Sequence, residues 1–546
     1  MQTDYYKIFK ILKTSEKFFL LILFGTVILC SLFEFLSISA LFPLIQQIFG
    51  SFENHKFYEK LNSFLRISEF NENEKLMYII ALIVFIFFIK NLVFIANTYL
   101  TNVFAFKLRY RLLNSLYDLY LNKNYEFFQD KSSSELLRNR DTVSAIGYGA
   151  IIYLQILNNI LLIFALTFIS VLFINLSTLL IFTLFVILLA VYYLSLKGKI
   201  QKISKKEQKN AFEELKSFQH TFKGIKEILT SLKLEKFKKK YQKVTLKGKF
   251  MGITLSTVPE LSKFIIEFLT VLILSLTIMF LYYQKNDFST IFGTFSLIMI
   301  ISLRLFPLLN KILLLSQKLN AIYGKLQIFF NEFDFNRIQK TKKPNVLKKF
   351  KRSIVIQNVS FKYNKNYKKN VLNKINLKIK KNQILGIFGS SGSGKTTLVD
   401  IILGLLKIDE GKIIIDGKVR DRYILPSNYI SQFDYLFDDT IANNIAIFSR
   451  QKPNSKQINR LLSLVNLDEF VNQLPNKIHT QVGEHGKNLS GGQMQRISLI
   501  RALYSDYNII VFDEPTSMLD QHNATSIFKN FIKILKKKKT IIYFFY

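Results

Sequence analysis

One stretch decides how the C-terminal part of this 546-residue sequence folds: Gly389-Ser390-Ser391-Gly392-Ser393-Gly394-Lys395-Thr396-Thr397. It matches the pattern G-x-x-x-x-G-K-[ST], follows an apolar run at 384–388 and opens an apolar helix at 397–404. Between a strand and a helix, such glycines let backbone N–H groups and a helix N-terminus approach phosphate. We predict that Lys395 pairs with the β- and γ-phosphates of a nucleotide and that the Thr396 hydroxyl coordinates Mg²⁺.

Two carboxylates end a second apolar strand. The stretch Ile509-Ile-Val-Phe-Asp513-Glu514 indicates a buried strand whose last two residues are acidic. We expect Asp513 to hold the metal ion and Glu514 to polarise the attacking water, because nucleotide hydrolysis needs both groups beside the phosphates. A phosphate loop alone would fit many classes of nucleotide hydrolase.

A pentapeptide between these two motifs narrows the range of nucleotide hydrolase classes. Leu489-Ser490-Gly491-Gly492-Gln493 heads an amphipathic helix, about 100 residues after the phosphate loop and about 20 before the carboxylates. With this motif the chain resembles the ATP-binding-cassette (ABC) family. The resemblance implies an α/β domain of the P-loop NTPase class with ATP and Mg²⁺ as cofactors.

The resemblance also implies roles for further residues. Tyr363 matches the aromatic residue that stacks on adenine, and Gln432 matches the glutamine that contacts Mg²⁺ and the attacking water. Each alone could equally be structural, Tyr363 as a surface aromatic and Gln432 as a loop amide. The implied ATP-binding residues are Tyr363, the loop 389–397, Ser490, Gly491, Gly492, Gln493 and Asp520, with Thr396, Gln432 and Asp513 at the metal and Glu514 and Gln432 as catalytic residues.

The same resemblance predicts how the chain assembles. In the ABC family the Leu-Ser-Gly-Gly-Gln motif of one domain closes over the nucleotide that another domain holds. Because this chain carries one set of motifs, the resemblance implies a homodimer with two composite ATP sites. Residues 120–129 and 219–229 look like the coupling helices that press on the nucleotide-binding domains.

Apolar residues are concentrated in the N-terminal part of the chain. Hydrophobic residues make up 49% of the sequence and the mean hydropathy is +0.21, which excludes wholesale disorder. Six stretches reach the roughly 20 residues that a helix needs to span a bilayer. They lie at about 18–45, 77–106, 146–174, 176–196, 257–284 and 290–315. We predict a multi-domain fold, with an all-α six-helix transmembrane domain (1–336), a linker (337–352) and an α/β P-loop NTPase domain (353–546).

The distribution of charge predicts the orientation in the membrane. The net charge is +37, and residues 197–250 alone hold 17 lysines against five glutamates. Because basic loops stay inside, both long loops and the C-terminal domain are expected in the cytoplasm, with three short loops outside. Basic residues next to the membrane suit anionic lipid, so we expect no nucleic-acid partner. The single cysteine, Cys30, excludes an intramolecular disulfide framework.

Ionisable residues inside the predicted spans form a candidate substrate site. Lys90 lies in the middle of the second span, and Arg304 and Lys311 lie seven residues apart on one face of the sixth, with Pro307 between them. One interpretation is a cationic cavity wall that receives an anionic group of the substrate. The other is that Lys90 pairs with Glu34 while Lys311 extends to the inner interface.

The order of spans, a short amphipathic segment at 56–67 and these basic positions resemble one branch of ABC exporters. These are the flippases of undecaprenyl-diphosphate-linked oligosaccharides in bacterial N-linked protein glycosylation. The resemblance implies a substrate with a pyrophosphate, a polyprenyl tail and a glycan, moved to the outer leaflet of the bacterial inner membrane by ATP hydrolysis. Glu260 departs from this pattern, because we expect a basic residue there. An ABC exporter of another lipid, a peptide or a drug therefore stays an alternative.

The end of the sequence suggests a further alternative. ABC domains carry a histidine that contacts the γ-phosphate just after the strand that follows the dimer-interface loop. Here that strand begins at Thr540, the sequence ends at Tyr546, and all five histidines lie elsewhere. We therefore expect a domain truncated at its C-terminus that binds ATP but hydrolyses it weakly or not at all, as in a hydrolysis-deficient subunit.

Overall fold

Two compact units make up the chain. The helical unit comprises Met1–Leu121 and Ser133–Lys340, and the α/β unit comprises Asn122–Ser132 and Thr341–Tyr546. This order of units confirms the predicted fold class, whereas the predicted domain limits stay a prediction. The computed structural model describes residues 12–49, 72–173, 176–284, 288–332, 345–347, 350–363, 370–431, 435–449, 452–513, 529, 531–535 and 538–545. The predicted amphipathic segment at 56–67 lies outside these ranges.

Long α-helices build the helical unit. Three of them have 48–50 residues, which at 1.5 Å per residue is about 75 Å, more than twice the thickness of the hydrocarbon core. The helices are α1 (Thr14–Ser39), α2 (Phe42–Phe49), α3 (Glu72–Leu121), α5 (Ser133–Phe173), α6 (Leu176–Lys223), α7 (Ile225–Thr230), α8 (Leu234–Tyr283) and α9 (Phe288–Glu332), with α4 (Tyr125–Asp130) in the other unit.

These helices continue far beyond the predicted spans. Most of the two basic segments that the sequence analysis treated as long loops is helical, since α3 runs to Leu121, α6 to Lys223 and α8 starts at Leu234. Lysine, glutamate and glutamine are good helix formers, so polarity marks where the membrane ends and not where the helix ends. Among the described residues, five helices are long and apolar enough to cross a membrane. The remaining predicted span, 176–196, forms the first part of α6.

The helical unit has apolar side chains on its outside. Phe85, Phe88 and Phe164 are 61–69% exposed, which is unfavourable in water and expected in lipid. Polar side chains pair inside the unit, where the Thr26 hydroxyl donates to Asn97 Oδ1 at 2.9 Å. This pattern agrees with the membrane location that the hydropathy predicts.

A parallel sheet organises the α/β unit. Its strand order is β4-β10-β9-β8, and neighbouring strands all run parallel. Phe545 of β10 pairs with Phe388 of β4, and Phe544 pairs with Asp513 of β9, so the carboxyl ends of these strands share one edge. In open parallel sheets this edge is where ligands bind. The strands are β4 (Ile384–Phe388), β8 (Ser427–Ile430), β9 (Ile509–Asp513) and β10 (Thr540–Phe545).

A second sheet and several short helices complete this unit. The sheet has the order β3-β2-β5-β6 and antiparallel pairing, and β1 pairs with β7 separately. The short helix α4 belongs to this unit, and the Lys407 amide donates to Glu126 Oε1 at 3.3 Å. The other elements are β1 (Asn345–Val346), β2 (Ser353–Phe361), β3 (Leu372–Lys380), β5 (Glu410–Ile415), β6 (Lys418–Val419), β7 (Tyr423–Ile424), α10 (Lys395–Leu403), α11 (Ile441–Ala446), α12 (Ser455–Leu464), α13 (Asp468–Gln473) and α14 (Gly491–Tyr504).

Candidate nucleotide site and transmembrane charge cluster

The phosphate loop connects β4 to α10, as its sequence predicts. Gly392 and Gly394 adopt φ of +77° and +93°, a region that side chains with a Cβ rarely occupy. A Cβ on Gly394 would lie 3.1–3.2 Å from atoms of Val371 and Leu372, and one on Gly389 would lie 2.7 Å from Ser393 Oγ. The glycines are therefore required both for the curvature of the loop and for its close packing.

Lys395 extends back into this loop. Its Nζ donates to the carbonyl oxygens of Gly389 at 2.6 Å and Ser390 at 3.2 Å, and the residue is 9% exposed. Because these carbonyls belong to the start of the loop, the ammonium lies within its curve. A buried cation at a helix N-terminus fits the phosphates of ATP.

A carboxylate cluster lies at the carboxyl edge of the sheet. The Tyr429 hydroxyl donates to Asp513 Oδ2 at 2.7 Å. Burial, with the charge of Asp513 as a second cause, raises the pKa of Asp400 to about 6. Burial and the hydrogen bond to Asp513 raise the pKa of Tyr429. A carboxylate cluster at this edge fits Mg²⁺, which oxygen ligands bind and whose charge would offset theirs.

Tyr363 and Thr397 link the predicted adenine side of the site to the phosphate loop. The hydroxyls of Tyr363 and Thr397 lie 3.0 Å apart. The Tyr363 side chain is 52% exposed, while Thr397 is 5% exposed. The tyrosine ring is thus accessible for stacking while its hydroxyl is held by the loop. Thr396, the predicted metal ligand, is exposed at the start of α10.

The predicted signature motif forms the N-terminus of α14. Ser490 is the N-cap, and its Oγ accepts from the Gln493 amide at 3.3 Å while Gln493 Oε1 accepts from the Ser490 amide at 2.8 Å. This reciprocal pair fixes the first turn, in which Gly491 and Gly492 follow the cap. The helix N-terminus so ordered is suited to an anionic ligand.

Arg501, which the sequence analysis did not single out, holds the other end of this helix. Its guanidinium donates to the Asn444 carbonyl at 2.9 Å, to Asn444 Oδ1 at 3.2 Å and to the Tyr435 carbonyl at 3.1 Å. Lys539 donates to the carbonyls of Ala502 and Ser505 at 3.1 and 2.8 Å. Two cations therefore fix the C-terminal half of the helix that carries the signature motif.

Three predicted site residues lie outside the described part of the chain. They are Gln432, Glu514 and Asp520. The structure brings together the phosphate loop with Tyr363, and Asp513 with Tyr429 and Asp400. The sequence patterns did not point to Tyr429 or Asp400, although the spacing of Asp400 from Thr396 could have indicated Asp400. Asp400 follows Thr396 by four residues, so both lie on one face of α10.

The charged residues of the helical unit form a second cluster. Lys90 Nζ lies 2.8 Å from Glu34 Oε2, and Arg304 Nε lies 3.9 Å from Glu34 Oε1. The side chains of Lys90 and Glu34 are 5% and 8% exposed, and that of Arg304 is 45% exposed. The pairing of Lys90 with Glu34 is the second of the two arrangements that the sequence left open. Lys311 is exposed and Pro307 lies inside α9.

A family comparison identifies the α/β unit. The protein-family model described as "ABC transporter" matches residues 372–517, which include the phosphate loop, the signature motif and Asp513. This part of the chain is thus similar to an ABC transporter domain. The family implies ATP binding at the phosphate loop, and the geometry of Gly389–Thr397 described above fits it.

Relatives and a solved structure extend the comparison to the helical unit. The chain is 29% identical over 353 residues to the ATP-dependent lipid A-core flippases of Escherichia coli K12 and Shigella flexneri, covering 63% of this chain and 60% of each flippase. The match thus spans about three fifths of those relatives' length. A solved bacterial Atm1-family ABC exporter with ATP bound has a TM-score of 0.74 and 17% identity, covering 96% of this chain and 91% of that one. The chain has the fold of an ABC exporter half-transporter, a multi-pass membrane protein with a cytoplasmic ABC domain.

Proposed function

We propose that the chain is one half of a homodimeric ABC exporter that couples ATP hydrolysis to the movement of a lipid-linked substrate across the bacterial inner membrane. The observation that carries this proposal is the Lys395 ammonium held 2.6 Å from the Gly389 carbonyl, inside a loop whose backbone favours glycine at positions 392 and 394. The helix α14, which begins with the signature motif, supports the dimer. Its N-terminus at Ser490 is exposed and suits a nucleotide held by a second copy.

Each predicted residue receives a role in this proposal. Tyr363 stacks on adenine, Lys395 and the loop amides hold the phosphates, and residues 490–493 with Asp520 contact the nucleotide of the partner copy. Thr396, Gln432 and Asp513 would hold Mg²⁺, and the ion would neutralise phosphate charge there. Glu514 is proposed to polarise the attacking water, which Gln432 is proposed to contact as well.

The substrate that we propose is a polyprenyl-diphosphate-linked oligosaccharide. Two flippase relatives act on a lipid, lipid A-core, by their names. In this chain Arg304 is exposed over 45% of its side chain in the middle of a predicted span, and Lys311 follows on the same helix. An exposed cation at this depth is costly unless it meets an anion, so an anionic head group such as a pyrophosphate fits Arg304, with Lys90 and Lys311 as the other basic residues of the proposed site.

A less charged lipid is the second candidate, because Glu34 already neutralises Lys90 at 2.8 Å. Transport in proteoliposomes separates the two candidates. We expect ATP-dependent movement of a polyprenyl-diphosphate oligosaccharide but not of the same glycan on a neutral lipid. Equal transport of both would support an exporter of another lipid, a peptide or a drug.

The ATP part of the proposal is tested by replacing the loop lysine. Lys395→Ala should lower ATP turnover roughly 100-fold or more, because it removes the cation that stabilises the transferred phosphate. Lys412→Ala, which removes an exposed lysine of the same domain, is the control and should leave turnover unchanged. Binding of ATP by the unaltered chain without turnover would support the hydrolysis-deficient subunit instead.

A further inference from the structure

Glu34 connects three helices of the helical unit through charge. It lies on α1, while Lys90 lies on α3 and Arg304 on α9. Its two carboxylate oxygens are divided between the two cations, with Oε2 2.8 Å from Lys90 Nζ and Oε1 3.9 Å from Arg304 Nε. The carboxylate is therefore the only negative group in this described cluster of three.

The cluster carries an unequal balance of charge. Two cations face one carboxylate, so its formal charge is +1. Lys90 is enclosed, since its ammonium also lies 4.8 Å from the Phe87 ring centre and 5.9 Å from that of Phe94. Arg304 lies farther from Glu34, 5.8 Å from the Phe87 ring centre, and is 45% exposed. The unbalanced positive charge is thus accessible at Arg304, and the balanced charge is buried at Lys90.

An anion that approaches Arg304 must also approach the Glu34 carboxylate. Arg304 Nε and Glu34 Oε1 are 3.9 Å apart, so an anion bound to Arg304 comes close to the carboxylate, and two negative charges that close repel strongly where water is scarce. Only an anion with enough charge to replace the carboxylate can bind both cations, whereas a weaker anion meets repulsion from Glu34. The carboxylate therefore acts as a threshold on the charge of the ligand.

We propose that Glu34 is an internal counter-ion that the head group of the substrate displaces, and that it selects head groups with two or more negative charges over singly charged ones. This inference rests on the proposed function, because it takes the substrate to be an anionic lipid. Displacement of Glu34 also breaks the ion pair between α1 and α3. Binding of the head group is in this way coupled to the loss of one of the polar contacts between α1 and α3.

The chain offers a matched control. Glu16 of α1 pairs with Arg111 of α3, with Nε–Oε1 at 2.6 Å and Nη2–Oε2 at 2.8 Å. Glu16→Gln therefore weakens an ion pair between the same two helices outside the cluster. Any effect of Glu34→Gln that comes only from loosening α1 should also appear in Glu16→Gln.

The experiment measures binding of lipids to the full-length protein in nanodiscs. The probes are a polyprenyl diphosphate, the methyl ester of the polyprenyl monophosphate, which carries one negative charge, and the free polyprenol. The unaltered protein and Glu16→Gln should prefer the diphosphate, and Glu34→Gln should bind the singly charged ester about tenfold more tightly and lose that preference. Glu34→Asp, which keeps the charge, should retain the preference.

Several outcomes would overturn the inference. If Glu34→Gln keeps the preference for diphosphate, or if it strengthens binding of the neutral polyprenol equally, Glu34 is not a charge threshold. If Glu34→Gln does not fold, the double variant Lys90→Met/Glu34→Gln, which removes the whole buried pair, replaces it. This double variant should show the same loss of preference, and a retained preference would also overturn the inference. If the unaltered protein binds none of the anionic lipids, the proposed substrate is wrong as well, whereas binding with unchanged selectivity in Glu34→Gln overturns this inference alone.

Discussion

The two units of the chain stabilise buried cations in different ways. In the ABC domain, Lys395 and Arg501 are 9% and 8% exposed and donate to backbone carbonyls. In the helical unit, Lys90 is 4% exposed and pairs with the Glu34 carboxylate. Carbonyls inside a helix are bonded to the helix itself, whereas loops and helix ends offer unused ones. A buried cation in a membrane span therefore needs another side chain as its partner.

The difference predicts the largest effect for Lys90. Lys90→Met removes the close partner of a carboxylate that is 8% exposed and leaves it with Arg304 at 3.9 Å. We expect the free energy of unfolding to fall by about 3–5 kcal/mol, because breaking a buried pair leaves a charge without compensation. Thermal unfolding of the detergent-solubilised protein measures this. The double variant Lys90→Met/Glu34→Gln should recover much of the loss, and a double variant as unstable as the single one would contradict the explanation.

A smaller effect is expected for the corresponding cation of the ABC domain. Arg501→Met removes the guanidinium that contacts the carbonyls of Asn444 and Tyr435. Because these acceptors are neutral and lie at the ends of elements, we expect a loss of about 2–3 kcal/mol. Arg501→Lys keeps the charge but not the fork of donors and should recover only part of the stability. Full recovery with lysine would mean that charge alone matters at this position.

The stability that Lys539 contributes to the ABC domain should depend on pH. Burial lowers its pKa from 10.5 to about 8, against a smaller opposing effect of Asp506. Between these two values the unfolded chain binds the proton that the folded chain has lost, so stability should rise as the pH increases from 8 towards 10.5. We expect a rise of about 1–2 kcal/mol, reduced from the full shift because the side chain is partly exposed. Unfolding followed across this range should show the rise in the unaltered protein and its absence in Lys539→Met.

The smallest effect is expected at the carboxylate cluster. Tyr429→Phe removes the hydroxyl that donates to Asp513 Oδ2 at 2.7 Å. A single hydrogen bond of this kind contributes about 1 kcal/mol, because the exposed part of the edge lets water replace the donor. The measurement is thermal unfolding with and without Mg²⁺, and Tyr423→Phe, which removes a hydroxyl bonded to backbone carbonyls, is the control. A stabilisation by Mg²⁺ that differs between the two variants would place Tyr429 at the metal site.

A local sequence pattern explains why the phosphate loop could be placed between a strand and a helix. The phosphate loop is one short segment, and its glycines carry the same meaning in the sequence and in the structure. The contacts of Tyr429 and Arg501 were missed because they join residues 84 and 66 positions apart. Such pairings depend on the arrangement of strands, which spacing within one segment does not reveal.

For the helical unit, the sequence predicted the apolar stretches but neither the helix ends nor the charge pairing. Hydropathy indicated six spans, and five helices among the described residues are long and apolar enough to cross a membrane. It did not give the helix ends, because charged residues such as those of 197–223 continue a helix in water. Nor could it choose between a free and a paired Lys90, because Glu34 lies on another helix and only packing brings the two together.

The position of α4 has a consequence for how the protein is made. Its Glu126 bonds to an amide 281 residues later, and the segment Asn122–Ser132 is grouped with the C-terminal domain although both of its flanks are not. At the usual pace of a ribosome, about 5–20 residues per second, this segment waits on the order of tens of seconds for its partner to emerge. During that interval the nascent protein must keep a short docking element ready before the domain that receives it exists.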